Sequence, residues 1–123
     1  MRKINLRDAF TRFDEAWSPR VAGTVNGVDV RLAKLRGEFL WHRHDDEDEL
    51  FLVCEGELLM KLRDGEHVVG GGEMILIPRG TDHMPVARTP ECHVLTVSPS
   101  ALRNTGNVEN ERTLHRLPPL ETR

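Results

Sequence analysis

Glycine-bearing turn pairs cut the middle of this chain into short apolar runs, and that punctuation limits the fold more than any other feature. Asn26-Gly27 follows the run Val21 to Val25, Glu55-Gly56 follows Glu49 to Cys54, and Asp64-Gly65 follows Glu57 to Leu62. Asn-Gly is a strong hairpin signal, because both central residues of a type I′ turn need positive φ. Val28 to Leu35, Leu40 to His44, His67 to Val69, Met74 to Ile77 and His93 to Val97 complete the set of expected strands. Many short strands joined by turns predict an all-β sandwich or barrel. The one helix candidate runs from Leu6 to Trp17, with Leu6, Ala9, Phe10, Phe13 and Trp17 at helical spacing before Ser18-Pro19 stops it. An extended arm packed on the barrel is the competing reading of that segment. From Pro99 to Arg123 the chain reads as loop and extended arm.

A chain of 123 residues is one ordinary domain. Lys and Arg total 17 against 20 Asp and Glu, which gives 17 − 20 = −3 and no basic footprint for nucleic acid. No polybasic patch or apolar run of spanning length points to a membrane, and Met1-Arg2-Lys3-Ile4-Asn5 lacks the apolar stretch of a secretory signal. A cytoplasmic location is expected. The two cysteines, Cys54 and Cys92, are expected to be free thiols in such a reducing compartment. No Cys-x-x-Cys pair is present to support a zinc ribbon.

The chemistry concentrates between His42 and His83. His42 and His44 occupy alternate positions, so on a strand both imidazoles face one way. Glu49 shares parity with Phe51 and Val53, which places a carboxylate at the mouth of an apolar face. His83 follows the turn Pro78-Arg79-Gly80, which swings it back towards the same mouth. Neutral imidazoles with one carboxylate make a ligand set for iron, manganese, zinc or nickel. Four such ligands leave a position open in a five- or six-coordinate ion, as metal catalysis requires. Asp48 or Glu47 replaces Glu49 if the turn is shorter. The plain alternative for all four residues is polar surface on an edge strand.

In this region the sequence resembles the cupin superfamily. The first cupin motif is a glycine followed by His-x-His-x3–4-Glu-x6-Gly; here Gly37 precedes His42-Arg43-His44, and Glu49 and Gly56 follow at that spacing. The second motif, Gly-x5-Pro-x-Gly-x2-His-x3-Asn, is matched by Gly72, Pro78, Gly80 and His83, with Ala87 in place of the final Asn. Gly37 lies one residue closer to His42 than is usual in the family. The resemblance implies a double-stranded β-helix, or jelly-roll barrel, with a divalent metal inside, held by His42, His44, Glu49 and His83. It divides the chain into an N-terminal helix or arm (residues 1–20), the barrel (21–98) and a C-terminal arm (99–123). It also implies a homodimer. A partner would help to cover the outward apolar face of Leu50, Leu52 and Cys54, as the N-terminal helix would.

Several cupin enzymes use tyrosine as an acid or base, and this chain has none. Proton transfer then falls to metal-bound water, to Glu49 or to an inward-facing His93. Leu40, Phe51, Val53 and Met60 are expected to line the pocket. The expected activity is that of a metal-dependent, dioxygenase-like oxidoreductase acting on a small organic molecule. A non-catalytic barrel that binds or senses a small ligand is the alternative, with a sugar or sugar-phosphate isomerase as a third reading. His67 and His115 read as surface residues, Arg43 as structural, and Arg79 as a rim residue open to anion recognition.

Overall fold

A computed structural model describes residues 1–121. The strands are β1 (Arg20–Val25), β2 (Val28–Leu35), β3 (Glu49–Glu55), β4 (Glu57–Leu62), β5 (Gly65–Gly70), β6 (Met74–Ile77), β7 (His83–Ala87) and β8 (Cys92–Pro99). They form a five-stranded sheet in the order β1-β2-β8-β3-β6 and a three-stranded sheet in the order β5-β4-β7. Every strand pairing within these sheets is antiparallel. This is the jelly-roll architecture, with a short helix at the N-terminus.

The sheets are specified by alternation. On β3, Glu49, Phe51 and Val53 are buried, while Leu50, Leu52 and Cys54 are only partly so. Val53, Leu58, Met60, Cys92 and Val94 belong to the core between the sheets. A second cluster lies outside the large sheet. There Phe10, Phe13, Ala22, Leu32 and Leu120 pack with Cys54 and Leu95. The outer face of β3 is therefore covered at its Cys54 end by the N-terminal segment. Cys54 and Cys92 are both free.

The Asn26-Gly27 turn forms as expected, with φ of 49° and 78°. Four local expectations are corrected. Leu62 stands opposite Gly65, so Arg63-Asp64 make the β4–β5 turn and Gly65 opens β5. The helix is a single turn, Leu6–Ala9, tightened into a 3-10 turn over Phe10–Arg12. Phe13 is already extended, and the Trp17 amide donates to the Lys34 carbonyl at 2.9 Å. A short helix gains little by itself, so pairing with the sheet wins.

The other two corrections share a cause. Leu40 to His44 is not a strand, and His83–Ala87 is one. The segment before His44 meets β7 only at two isolated bridges, Glu38↔Val86 and His42↔His83. Between them the Phe39 amide donates to the Pro85 carbonyl, at 3.0 Å. Pro85 has no N–H to return, so a continuous ladder cannot form there. On its other side β7 pairs regularly with β4.

Candidate metal centre

Three elements deliver the candidate ligands. His42 and His44 lie on the irregular segment beside β7, Glu49 opens β3, and His83 opens β7. The His42 and His83 backbones exchange two hydrogen bonds, 3.0 and 2.9 Å long, which bring their rings to a centroid distance of 4.3 Å. All three imidazoles are buried, and one nitrogen from each lies within 4.8 Å of the others. A Glu49 carboxylate oxygen, Oε1, sits 3.2 Å from His44 Nε2 and 3.9 Å from His83 Nε2.

The ring orientations of His42 and His83 suit an ion. His42 Nδ1–H donates to the Leu40 carbonyl at 3.0 Å, and His83 Nδ1–H donates to the Thr81 carbonyl at 2.9 Å. A carbonyl can only accept, so each Nε2 is left with its lone pair free, as metal-bound histidines require. His83 Nε2 and Glu49 Oε1 are buried without a hydrogen-bond partner. Leaving such atoms unsatisfied costs about 1–3 kcal/mol each, which a bound cation would relieve. Two ligand atoms about 2.1 Å from one ion lie roughly 3–3.5 Å apart; Glu49 Oε1 and His44 Nε2 already have that spacing at 3.2 Å, and the 3.9 Å between Glu49 Oε1 and His83 Nε2 would have to contract on binding.

Burial, reinforced by the neighbouring His83, pushes the pKa of His42 down to about 4. Burial likewise lowers that of His83. Burial opposes the charge on Glu49, yet His44, His83 and His42 together bring its pKa below the usual range. Near neutrality the site therefore offers neutral imidazoles at His42 and His83 and an ionised carboxylate at Glu49, the protonation state in which these groups bind metal.

The cupin-domain family matches residues 28–98, more than half of the chain. The chain is a cupin. A cupin-2 domain protein from Shewanella frigidimarina is 43% identical, with a TM-score of 0.76 over 78% of this chain and 93% of that one. A protein from Neisseria meningitidis is 27% identical, with a TM-score of 0.73 over 80% of this cupin and all (100%) of that chain. A sugar phosphate isomerase of the cupin superfamily from Silicibacter pomeroyi is 26% identical, with a TM-score of 0.56 over 66% of this chain and 55% of its own. The uncharacterised protein YdbB of Bacillus subtilis is 52% identical over 60 residues, so the match spans about half of that curated relative (53%) and 48% of this chain.

Not every candidate residue reaches the centre of this cupin. His93 lies on the other face of the large sheet, stacked on Phe10 at 4.6 Å and bonded to Glu91 at 2.6 Å. It alternates with the inward Val94, so it is not placed to contact a ligand inside the barrel. Asp48 is turned outward to an ion pair with Arg79, which removes both Asp48 as a substitute ligand and Arg79 as a free anion site. Val53 and Met60 are core residues, and Phe51 is the one expected pocket residue that lines the cavity beside His42 and Glu49.

The rest of that cavity wall was not anticipated. Trp17 stacks on Phe39 at 4.7 Å, and Phe39 meets His42 edge-on at 5.5 Å. Arg31 and Thr96 supply polar groups. Arg31 is held by Asp29 and by the Ser100 and Leu102 carbonyls. Its inward parity with Ala33 and Leu35 was the available sequence signal, since a charge on the core face of a strand calls for a partner. The cavity has a volume of about 50 Å3. It is narrow, and suits a small ligand.

Proposed function

We propose that this cupin holds a divalent metal ion with His42, His44, His83 and Glu49 and oxidises a small organic molecule in dioxygenase-like fashion. The observation that carries the reading is the buried cluster of three imidazoles whose ligand atoms lie within 4.8 Å, beside Glu49, whose Oε1 is buried without a well-formed hydrogen bond. The donor set suits iron, manganese, zinc or nickel. A redox-active ion in this site would supply Lewis acidity and oxygen chemistry. The chain contributes the rest. Trp17, Phe39 and Phe51 keep bulk water from one side of the cavity. Arg31 and Thr96 offer donors to a polar substituent on the ligand. With no tyrosine in the chain and His93 facing outward, Glu49 is the acid–base group beside the cavity.

A sugar-phosphate isomerase is the second reading, favoured by the similarity to the Silicibacter pomeroyi enzyme. The apolar walls fit it less well, because a sugar phosphate needs many polar partners. A non-catalytic binding barrel is the third. Metal analysis of the purified protein, followed by oxygen uptake with catechols, diketones and short organic acids, separates them. Bound iron with oxygen consumption is the expected result. Bound zinc without oxygen uptake transfers the case to isomerisation or ligand binding, and a protein that takes up no divalent metal ends the metal reading.

A further inference from the structure

The C-terminal arm reaches the backbone between His42 and His44 through Gly106 and Asn107. Arg43 lies between His42 and His44, in a stretch without a regular ladder. One side of this stretch is held by the His42–His83 exchange and by the Gly80 amide, which donates to the His44 carbonyl at 2.8 Å. The other side is held by the arm. The Arg43 amide donates to Asn107 Oδ1 at 2.8 Å, and the Asn107 amide donates back to the Arg43 carbonyl at 2.9 Å. A single residue thus fixes both backbone polar groups of the unit between the two histidines.

Gly106 makes the approach feasible. Its φ is +57°, and a side chain there would collide with the Arg43 carbonyl and press on His42 Cδ2, 3.1 Å from the added carbon. The arm is braced behind this contact. Thr105 is fully buried, and its hydroxyl meets the Val108 carbonyl and the Thr113 hydroxyl, each at 2.6 Å. Arg103 Nε donates to the Gly106 carbonyl at 2.8 Å.

We propose that Gly106 and Asn107 form a clamp that sets the spacing of His42 and His44 for metal binding, so that docking of the arm and occupancy of the metal site are coupled. The inference rests on reading these histidines as ligands. Asn107 is a positioning residue: it acts through the Arg43 backbone and touches neither imidazole nitrogen. Groups that orient metal ligands from behind typically change metal affinity by about 10–100-fold when removed. Coupling is reciprocal, so metal should suppress undocking of the arm by a similar factor.

The test uses the full-length protein and cobalt(II), whose visible spectrum reports coordination as well as affinity. Asn107→Ala removes the acceptor for the Arg43 amide, whereas Asn107→Asp keeps one. The alanine variant is expected to bind cobalt about 10–100-fold more weakly, with an altered spectrum, and the aspartate variant to stay close to the wild type. In the unaltered protein, cobalt is expected to slow trypsin cleavage after Arg103 and Arg112 while leaving cleavage after Arg7 unchanged. This second measurement needs no variant to fold. Equal cobalt affinity and spectrum in the wild type and Asn107→Ala, or arm cleavage indifferent to cobalt, overturns the clamp and leaves the metal reading standing. A wild-type protein that takes up neither cobalt nor any other divalent metal overturns both.

Discussion

His42 carries the clearest pH signature in the molecule. Its pKa falls from 6.5 to about 4 on folding, first because it is buried and then because His83 is close. As pH drops below 6.5 the unfolded chain takes up a proton here that the folded chain refuses until about pH 4. Protons therefore favour the unfolded state across that window. The stability in question is fully present above pH 6.5, and roughly 3 kcal/mol of it is lost by pH 4. His83 acts in the same direction, and Glu49 extends the loss to lower pH. Urea unfolding of the metal-free protein should show the midpoint falling steadily from about pH 7 to pH 4.5. A flat midpoint would mean that these rings are solvated. The positions behind this behaviour were readable in the sequence, because alternate residues share a face and Glu49 keeps parity with Phe51. Trp17, Phe39 and Asn107 were not readable. They reach the site from irregular segments whose course is set by packing, and no local period encodes that.

Among the elements, the N-terminal segment shows how a correct apolar pattern can be assigned to the wrong period. Ala9, Phe10 and Phe13 are buried, as an amphipathic helix would bury them, yet only the first two belong to a helical turn. Burial, more than helix propensity, holds the segment in place. Phe10 contributes most visibly, packing with Phe13 and stacking on His93 across the outer face of the sheet. Phe10→Ala is therefore expected to destabilise the protein by about 3–4 kcal/mol, read from denaturant unfolding, with metal affinity unchanged. A parallel loss of metal binding would contradict the separation of outer cluster and inner site. The β7 strand gives the complementary lesson. Pro85 argues against a strand in sequence, but a proline is tolerated where one side of the strand needs no ladder. Here that side faces the histidine segment, and the missing N–H is what leaves His42 paired with His83 at a single bridge.

At the scale of the whole molecule, one face remains apolar and uncovered. Leu50 pairs with Leu76 and Leu52 with Met74, all on the outer side of the large sheet, and Val97 and Leu95 continue the row on β8. The N-terminal segment covers this face near Cys54 and Leu95 but not at its β6 end, where Met74 is 59% and Leu76 62% exposed. β6 is also an edge strand. Contiguous exposed apolar surface beside an open edge is costly to leave in water and prone to association. A second copy of the same face, meeting the first across a twofold axis, would bury both at once, because such an interface is self-complementary. We expect a homodimer at micromolar concentration by light scattering. Leu76→Glu should convert it to a monomer, since an unpaired carboxylate would then face its own symmetry mate inside the contact. The candidate metal site lies on the opposite face of the sheet, so the monomeric variant should retain whatever metal affinity the unaltered protein shows. If the unaltered protein is already monomeric throughout that range, this face has another role.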